Sequence, residues 1–325
     1  MALTTAGKSV LEPCEREVPI ALPGEVLIRV RACGVCRSDV HLLDGDLTPS
    51  EFPVVPGHEI VGMVEVVGDG VTRLAVGDRV GIPWLGHTCG ACEYCASARE
   101  NLCGQARFTG VHMDGGYAEY AVADAEYTFK LPDGYTDAEA APLLCAGVIG
   151  YRAYRLAGDA QRLGLYGFGA AAQFVAHIGV LHTREVYAFT SPGDEARQTL
   201  ARSIGCAWAG ASTEAPPVPL DVAIIFATDG HLVTEALSRV APGGAVVCAG
   251  IHMSDVPAFP YRHLREERVI RSVTNHTRED ARELLALASA APLKISVQTY
   301  DLADANRAIA DLREGRILGA AVLTL

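Results

Sequence analysis

Apolar and polar residues alternate in short runs through the first 148 residues, and Gly and Pro punctuate them. The runs at 25–31 (EVLIRVR), 59–67 (EIVGMVEVV) and 78–82 (DRVGI) carry a period of two, which predicts half-buried strands in a mainly antiparallel β domain. From about Gly164 the texture changes. Residues 163–166, 185–189, 221–226, 245–251 and 269–274 are short apolar runs, each followed by a segment with room for a helix. Strands of this kind belong in a parallel sheet covered on both faces. Beyond Arg278, helical stretches at 279–290 and 302–314 precede a last strand at 320–325. No repeat and no low-complexity linker interrupts the chain.

The 325 residues suffice for two domains, and 50% hydrophobic with 20% charged residues is an ordinary globular composition. Lys and Arg number 27 against 39 Asp and Glu, a net charge of −12. That balance argues against nonspecific nucleic-acid binding and against docking on an anionic membrane. No apolar run approaches the roughly 20 residues of a membrane-spanning helix. The first residues lack the apolar core of an export signal, so the expectation is a cytoplasmic protein. Ten cysteines in such a chain point to reduced thiolates on metal rather than to disulfides.

Cys89, Cys92, Cys95 and Cys103 form C-x2-C-x2-C-x7-C, flanked by Gly90 and Gly104. Four thiolates on one short loop suit a closed, tetrahedral, structural zinc site. A 4Fe–4S cluster is the nearest competitor, and buried free cysteines are the bland alternative. Upstream, GVCRSDVH (34–41) and PGHE (56–59) gather a Cys, two His and two acids, and Cys145 follows in APLLCAG. A catalytic zinc takes three protein ligands and keeps one position open, for which Cys36, His58 and Cys145 are the best set. Each of them alone reads as readily as packing.

Gly167-Phe168-Gly169-Ala170-Ala171-Ala172 follows an apolar run and opens a small-residue helix. In this G-x-G-x-x-A pattern Gly167 allows the tight turn, Gly169 lets the backbone approach a pyrophosphate, and Ala172 keeps helix and sheet close. The second run ends in Thr190 and Ser191, with no acid before Asp194. A carboxylate there would select NAD, so its absence leans the reading toward NADP, with Arg197 as a nearby cation. Ala249 and Ile251 lie where a strand's C-terminal end would meet cofactor.

These five separated signals occur in the order found in the zinc-dependent alcohol dehydrogenases of the medium-chain dehydrogenase/reductase superfamily. The chain resembles that family over essentially its whole length. The resemblance implies an α/β protein with a GroES-like β-rich catalytic domain (1–148, completed by 286–325). A Rossmann domain with a doubly wound parallel sheet (149–285) is joined to it, and the active site lies in the cleft between them. It implies two zinc ions per chain and NAD(P). Cys36, His58 and Cys145 match the catalytic zinc ligands, and Glu59 the acid behind the metal. Asp39 matches the carboxylate that orients the imidazole, Ser38 the hydroxyl that takes the alcohol's proton, and His41 the outer end of that relay. Leu43, Leu47 and Trp84 match an apolar pocket for an uncharged alcohol or aldehyde. A homodimer or homotetramer is also implied.

Two positions depart from the family pattern: Ile149 where relatives often have Thr, and Ala320 where several have Arg. A zinc-independent quinone or enone reductase of the same fold is one alternative, although that group lacks this ligand set. A redox- or nucleotide-responsive sensor is another. Polyol dehydrogenases of the superfamily usually have an acid where Cys145 stands. Cys14, Cys33, Cys206 and Cys248 belong to no motif and are expected to be inert.

Overall fold

Strand β1 (Glu25–Val35) shows how alternation becomes a strand: Ile28, Val30 and Ala32 are buried, while Arg29 and Arg31 between them are exposed. A short helix, α1 (Arg37–Asp44), follows, and β2 (Glu59–Val67) then returns antiparallel to β1. In this computed structural model, which describes residues 1–5 and 7–325, the walk continues through β3 (Arg79–Ile82) and β4 (Leu85–His87). Helix α2 (Glu93–Ala96) precedes β5 (Arg107–Phe108), β6 (Tyr120–Asp124) and β7 (Phe129–Lys130). Helices α3 (Asp137–Ala140) and α4 (Ala146–Leu156) close this part.

The middle of the chain alternates strand and helix: β8 (Arg162–Tyr166), α5 (Ala170–Leu181), β9 (Glu185–Thr190), α6 (Glu195–Ile204) and β10 (Trp208–Ala211). It continues with β11 (Leu220–Ile225), α7 (His231–Arg239), β12 (Val240–Cys248) and β13 (Val269–Ser272). All pairings are parallel, in the order β10-β9-β8-β11-β12-β13. Counted within this unit the order is 3-2-1-4-5-6, that of a doubly wound dinucleotide-binding sheet. Two details differ from the sequence reading. Trp208–Ala211 is a strand too short and small-residue-rich to stand out. The link from β12 to β13 holds only a 3-10 turn, Tyr261–His263, because Pro257 and Pro260 forbid a helix.

The tail contributes α8 (Arg278–Ala290), β14 (Val297–Asp301), α9 (Ala305–Arg313) and β15 (Ala320–Thr324). Strand β15 pairs with β1, giving a seven-stranded sheet of order β14-β15-β1-β2-β3-β7 with β6 also against β1. Its core includes Ile28, Ile60, Ile82, Ile309 and Leu323. The two compact units are Met1–Val148 with Asn275–Leu325, and Ile149–Thr274. The second boundary therefore falls ahead of α8, not at 285 inside it; the apolar periodicity of α8 could not tell which core it serves. No helix among the described residues is long and apolar enough to cross a membrane.

Candidate functional site

The pairing of β1 with β2 sets Gly34 opposite Glu59. Cys36, just past β1, thereby meets His58, just before β2. The Cys36 Sγ lies 3.1 Å from His58 Nε2, and the Cys145 Sγ 3.8 Å from that of Cys36. Cys145 follows the 3-10 turn Ala141–Leu144 and leads into α4. One donor atom from each of Cys36, His58, Glu59 and Cys145 falls within 4.8 Å of the others. Cys36 also caps α1: its sulfur accepts from the Ser38 N–H at 3.3 Å, and the Cys36 N–H donates to the Asp39 carboxylate at 2.9 Å. Gly34 is obligatory here, since a Cβ would stand 1.8 Å from the Glu59 Oε2.

The cluster is electrostatically demanding. His58 and Glu59 are 0% and 2% exposed, and Asp39 is 2%. The thiol of Cys145, donating to the Cys36 sulfur, holds Cys36 well below the usual thiol value, helped by the imidazole of His58. That same bond, with burial, pushes Cys145 well up. Burial alone would lower His58, but the Cys36 thiolate outweighs it and carries the imidazole to about 9. Burial raises Asp39 to about 6 and Glu59 well above the ordinary carboxylate range. By themselves these groups must share protons to stay buried. Two thiols, an imidazole and a carboxyl converging at these distances fit a zinc ion, whose charge and softness answer that need.

In the four-cysteine loop, sulfur separations are 3.9 Å for Cys89–Cys95, 3.5 Å for Cys92–Cys95 and 3.5 Å for Cys103–Cys89. A tetrahedron with zinc–sulfur bonds of about 2.3 Å has edges of about 3.8 Å. The match favours one metal ion over an iron–sulfur cube, whose corners hold thiolates farther apart. The backbone N–H groups of Cys92 and Gln105 donate to Cys89 and Cys103 at 3.4 Å. Beside the loop, Cys95 contacts the Thr88 Oγ1 at 3.4 Å, and Thr88 bonds the Tyr127 hydroxyl at 2.6 Å. Glu100, within the loop and 3% exposed, accepts from the backbone N–H of Arg278 at 2.9 Å and its Nε at 3.2 Å.

The remaining predicted residues are placed as follows. Ser38 is 8% exposed beside Cys36, and the His41 Nδ1 bonds the Asp46 Oδ2 at 2.8 Å. The Trp84 ring meets His58 edge-on at 4.6 Å, and Leu47 packs at the margin of the core. Leu43, 3% exposed, lies in the core of the sheet.

In the other unit, Gly167 has φ +86°, and a Cβ there would stand 2.8 Å from the Ala227 N. A Cβ on Gly169 would meet nothing within 4 Å, and no side chain caps the N-terminus of α5 that it begins. That leaves N–H groups open to a pyrophosphate, so the turn fits a dinucleotide. Ala172 is fully buried. Thr190 is turned into the sheet, its hydroxyl bonded to the Ser191 and Gly210 carbonyls, whereas Ser191 is exposed. Arg197 pairs with Asp194 at 2.7 Å. Ala249 and Ile251 follow the end of β12, and Ile251 is 37% exposed. Sequence reasoning missed Thr88, Glu100 and Tyr127: hydroxyls carry no metal signal, and a lone Glu in a polar stretch reads as a solvated side chain.

Comparison with known proteins agrees with this geometry. Residues 22–133 match the alcohol dehydrogenase GroES-like domain, and residues 211–323 match the zinc-binding dehydrogenase domain. The chain belongs to the zinc-dependent alcohol dehydrogenases of the medium-chain dehydrogenase/reductase superfamily. A probable alcohol dehydrogenase AdhA of Mycobacterium tuberculosis is 47% identical over 323 residues, 97% of this chain and 93% of that one. An alcohol dehydrogenase of Geobacillus stearothermophilus is 35% identical over 97% of this chain and 96% of its own length. Among solved structures, a thermostable alcohol dehydrogenase from Pyrobaculum aerophilum superposes with a TM-score of 0.91 at 27% identity, covering 100% and 98% of the two chains. Acetophenone reductase from Geotrichum candidum, solved in complex with NAD, gives 0.90 at 27%, covering 100% and 96%. The enzyme is thus an NAD(P)-dependent alcohol dehydrogenase with a four-cysteine structural zinc site and a Cys/His/Glu catalytic one. The metal-independent reductase and the sensor give way to it.

The Glu100–Arg278 pair generates a prediction. Burial works to raise the Glu100 carboxyl, but the Arg278 N–H and guanidinium outweigh it and hold it below its ordinary value. The pair's contribution is therefore complete above about pH 4.3 and is lost as pH falls through the lowered folded value. Glu100→Gln is expected to cost about 1–3 kcal/mol near pH 7, read by urea unfolding. The gap to wild type should narrow below about pH 4. A gap that stays constant into acid would rule the pair out as its cause.

Proposed function

We propose that Cys36, His58 and Cys145 hold the catalytic zinc, with Glu59 behind it as an alternative ligand, and that the enzyme interconverts uncharged alcohols with aldehydes or ketones. The observation that carries this reading is the convergence of those four donors within 4.8 Å. When bound, zinc lowers the pKa of a substrate hydroxyl as it does that of water, and NAD(P) exchanges hydride with the carbinol carbon. The chain's own groups supply the rest. Ser38, buried beside Cys36, takes the proton of the alcohol hydroxyl, and His41, oriented by Asp46, is its outlet. Asp39 faces the Nδ1 of His58 and holds the ring's orientation. Trp84 and Leu47 give the substrate an apolar wall, which favours aliphatic or aromatic groups. In the reverse direction the same hydroxyl returns the proton.

Gly167, Gly169 and Ala172 seat the pyrophosphate, and Ala249 and Ile251 border the nicotinamide half. We further read the cofactor as NADP. The support is that neither Thr190 nor Ser191 carries the carboxylate that would repel a 2′-phosphate, and that Asp194 is neutralised by Arg197. For assembly we propose a homodimer or homotetramer. β13 is a terminal strand of the parallel sheet, and Val269 (40% exposed) lies on it.

Three measurements test these readings. Cys145→Ala should lower zinc from two ions per chain to one and cut aldehyde reduction by a factor of roughly 10³ or more; near-wild-type turnover would sink the ligand assignment. Because Thr190 points inward, the exposed Ser191 is the position to charge: Ser191→Asp should lower the NADPH-to-NADH ratio of kcat/KM about tenfold or more. An unchanged ratio removes the NADP argument. Sedimentation velocity at micromolar concentration should give twice or four times the chain mass, and a monomer there would overturn the assembly.

A further inference from the structure

We propose that Tyr117 is a positioning residue for the catalytic site: its buried, otherwise unpartnered hydroxyl faces the Asp39 carboxyl and fixes the group that faces His58. The proposal rests on the reading of His58 as a zinc ligand. Tyr117 is 0% exposed. It ends a segment that runs along the turn leading into His58. The N–H groups of Gly115, Gly116 and Tyr117 donate to the carbonyls of Val55, Gly57 and Pro56 at 2.7, 2.9 and 3.0 Å. The segment lies so close to that turn and to the strands beside it that neither glycine has room for a side chain. A Cβ on Gly115 would lie 2.1 Å from the Gly57 O, and one on Gly116 would lie 2.6 Å from the Ile60 Cγ1. Gly57, at φ +94°, yields in the same way to the tyrosine, since a Cβ there would stand 2.4 Å from the Tyr117 Cδ1. The ring is therefore seated on the turn that aims His58.

The hydroxyl at its tip faces the carboxyl of Asp39. Asp39 is already tied at Oδ2 by the Cys36 N–H, and its Oδ1 lies 4.0 Å from the His58 Nδ1. Neither the Tyr117 Oη nor the His58 Nδ1 closes a hydrogen bond among the described residues, and the Asp39 carboxyl is the acceptor that both face. Two buried donors thus converge on one carboxyl. Phe would fill the same space without leaving a hydroxyl to satisfy, so the oxygen is the informative atom. Tyr117, Asp39 and His58 form a line of groups behind the metal ligand, of the kind that fixes ring orientation and metal retention.

Tyr117→Phe tests this, because it keeps the ring packing and removes only the hydroxyl. Zinc-loaded enzyme is challenged with excess chelator while zinc release and thermal unfolding are followed. The variant should lose zinc from the Cys36–His58–Cys145 site about tenfold faster, with release from the four-cysteine site unchanged. With cobalt(II) in the catalytic site, its visible d–d bands should shift. In an Asp39→Ala background the added Tyr117→Phe should change release less than about twofold, since the hydroxyl acts through that carboxyl. Superimposable release and spectra in the single variant would overturn the proposal, as would an undiminished effect in the Asp39→Ala background. Retention of two zinc ions by Cys145→Ala would instead overturn the ligand reading beneath it.

Discussion

The register of β1 against β2 is the constraint on which the rest of the catalytic domain depends. The Gly34–Glu59 pairing puts one residue's missing side chain under another's carboxylate, and it brings Cys36 and His58 together from either side of the same strand pair. A slip of one residue would move the partners by about 3.3 Å and turn each side chain to the opposite face. Two irregularities, between Leu27 and Ile28 and between Val30 and Ala32, adjust the phase of β1 before it reaches the site. They lie on a strand that β2, β6 and β15 all grip, so the register is held by three neighbours rather than by the site itself.

That register has an electrostatic consequence. It buries Asp39, His58 and Glu59 close together beside the half-buried Cys36, and Cys145 joins them from a separate segment. The bond to the Cys36 sulfur together with burial raises Cys145, and burial together with the Cys36 thiolate raises Glu59, more than one imidazolium offsets. A divalent ion resolves the conflict, and the affinity that results is linked to pH because binding expels those protons. The four-cysteine loop solves a similar problem with less burial. Its thiolates are stabilised by backbone N–H donors, and a buried carboxylate ties the loop to the start of α8.

Much of this was legible in the residues, and the reasons are physical. Cysteines two residues apart must converge, so the loop announces itself. Strands β8, β9 and β11 are buried along nearly their whole length and so read as apolar runs, whereas the Trp-Ala-Gly-Ala of β10 is too small to register. Cys36, His58 and Cys145 were legible as a set though not singly, since each also makes sense as core. What stayed hidden depends on tertiary neighbours. The core that claims α8, the inward turn of Thr190 and the burial of Leu43 follow from packing that no local pattern encodes. Tyr117 is the sharpest case: in sequence it is one aromatic after two glycines, and only the packing of its segment against residues 55–57, Cys33 and Ile60 gives those glycines a reason.

The glycines of the cofactor turn make the same distinction from the other side. Gly167 and Gly169 belong to one motif, yet different physics requires them. At Gly167 the positive φ and the nearness of Ala227 on the neighbouring strand's extension leave no room for a Cβ, so the fold alone demands glycine. At Gly169 the backbone is extended and a Cβ would touch no protein atom. Nothing in the chain's own packing explains that glycine. A ligand that must approach the backbone does, and the uncapped N–H groups of α5 beside it give that ligand a negative charge. A glycine that the protein does not need for itself is therefore a more direct sign of a bound phosphate than one that the turn would require in any case.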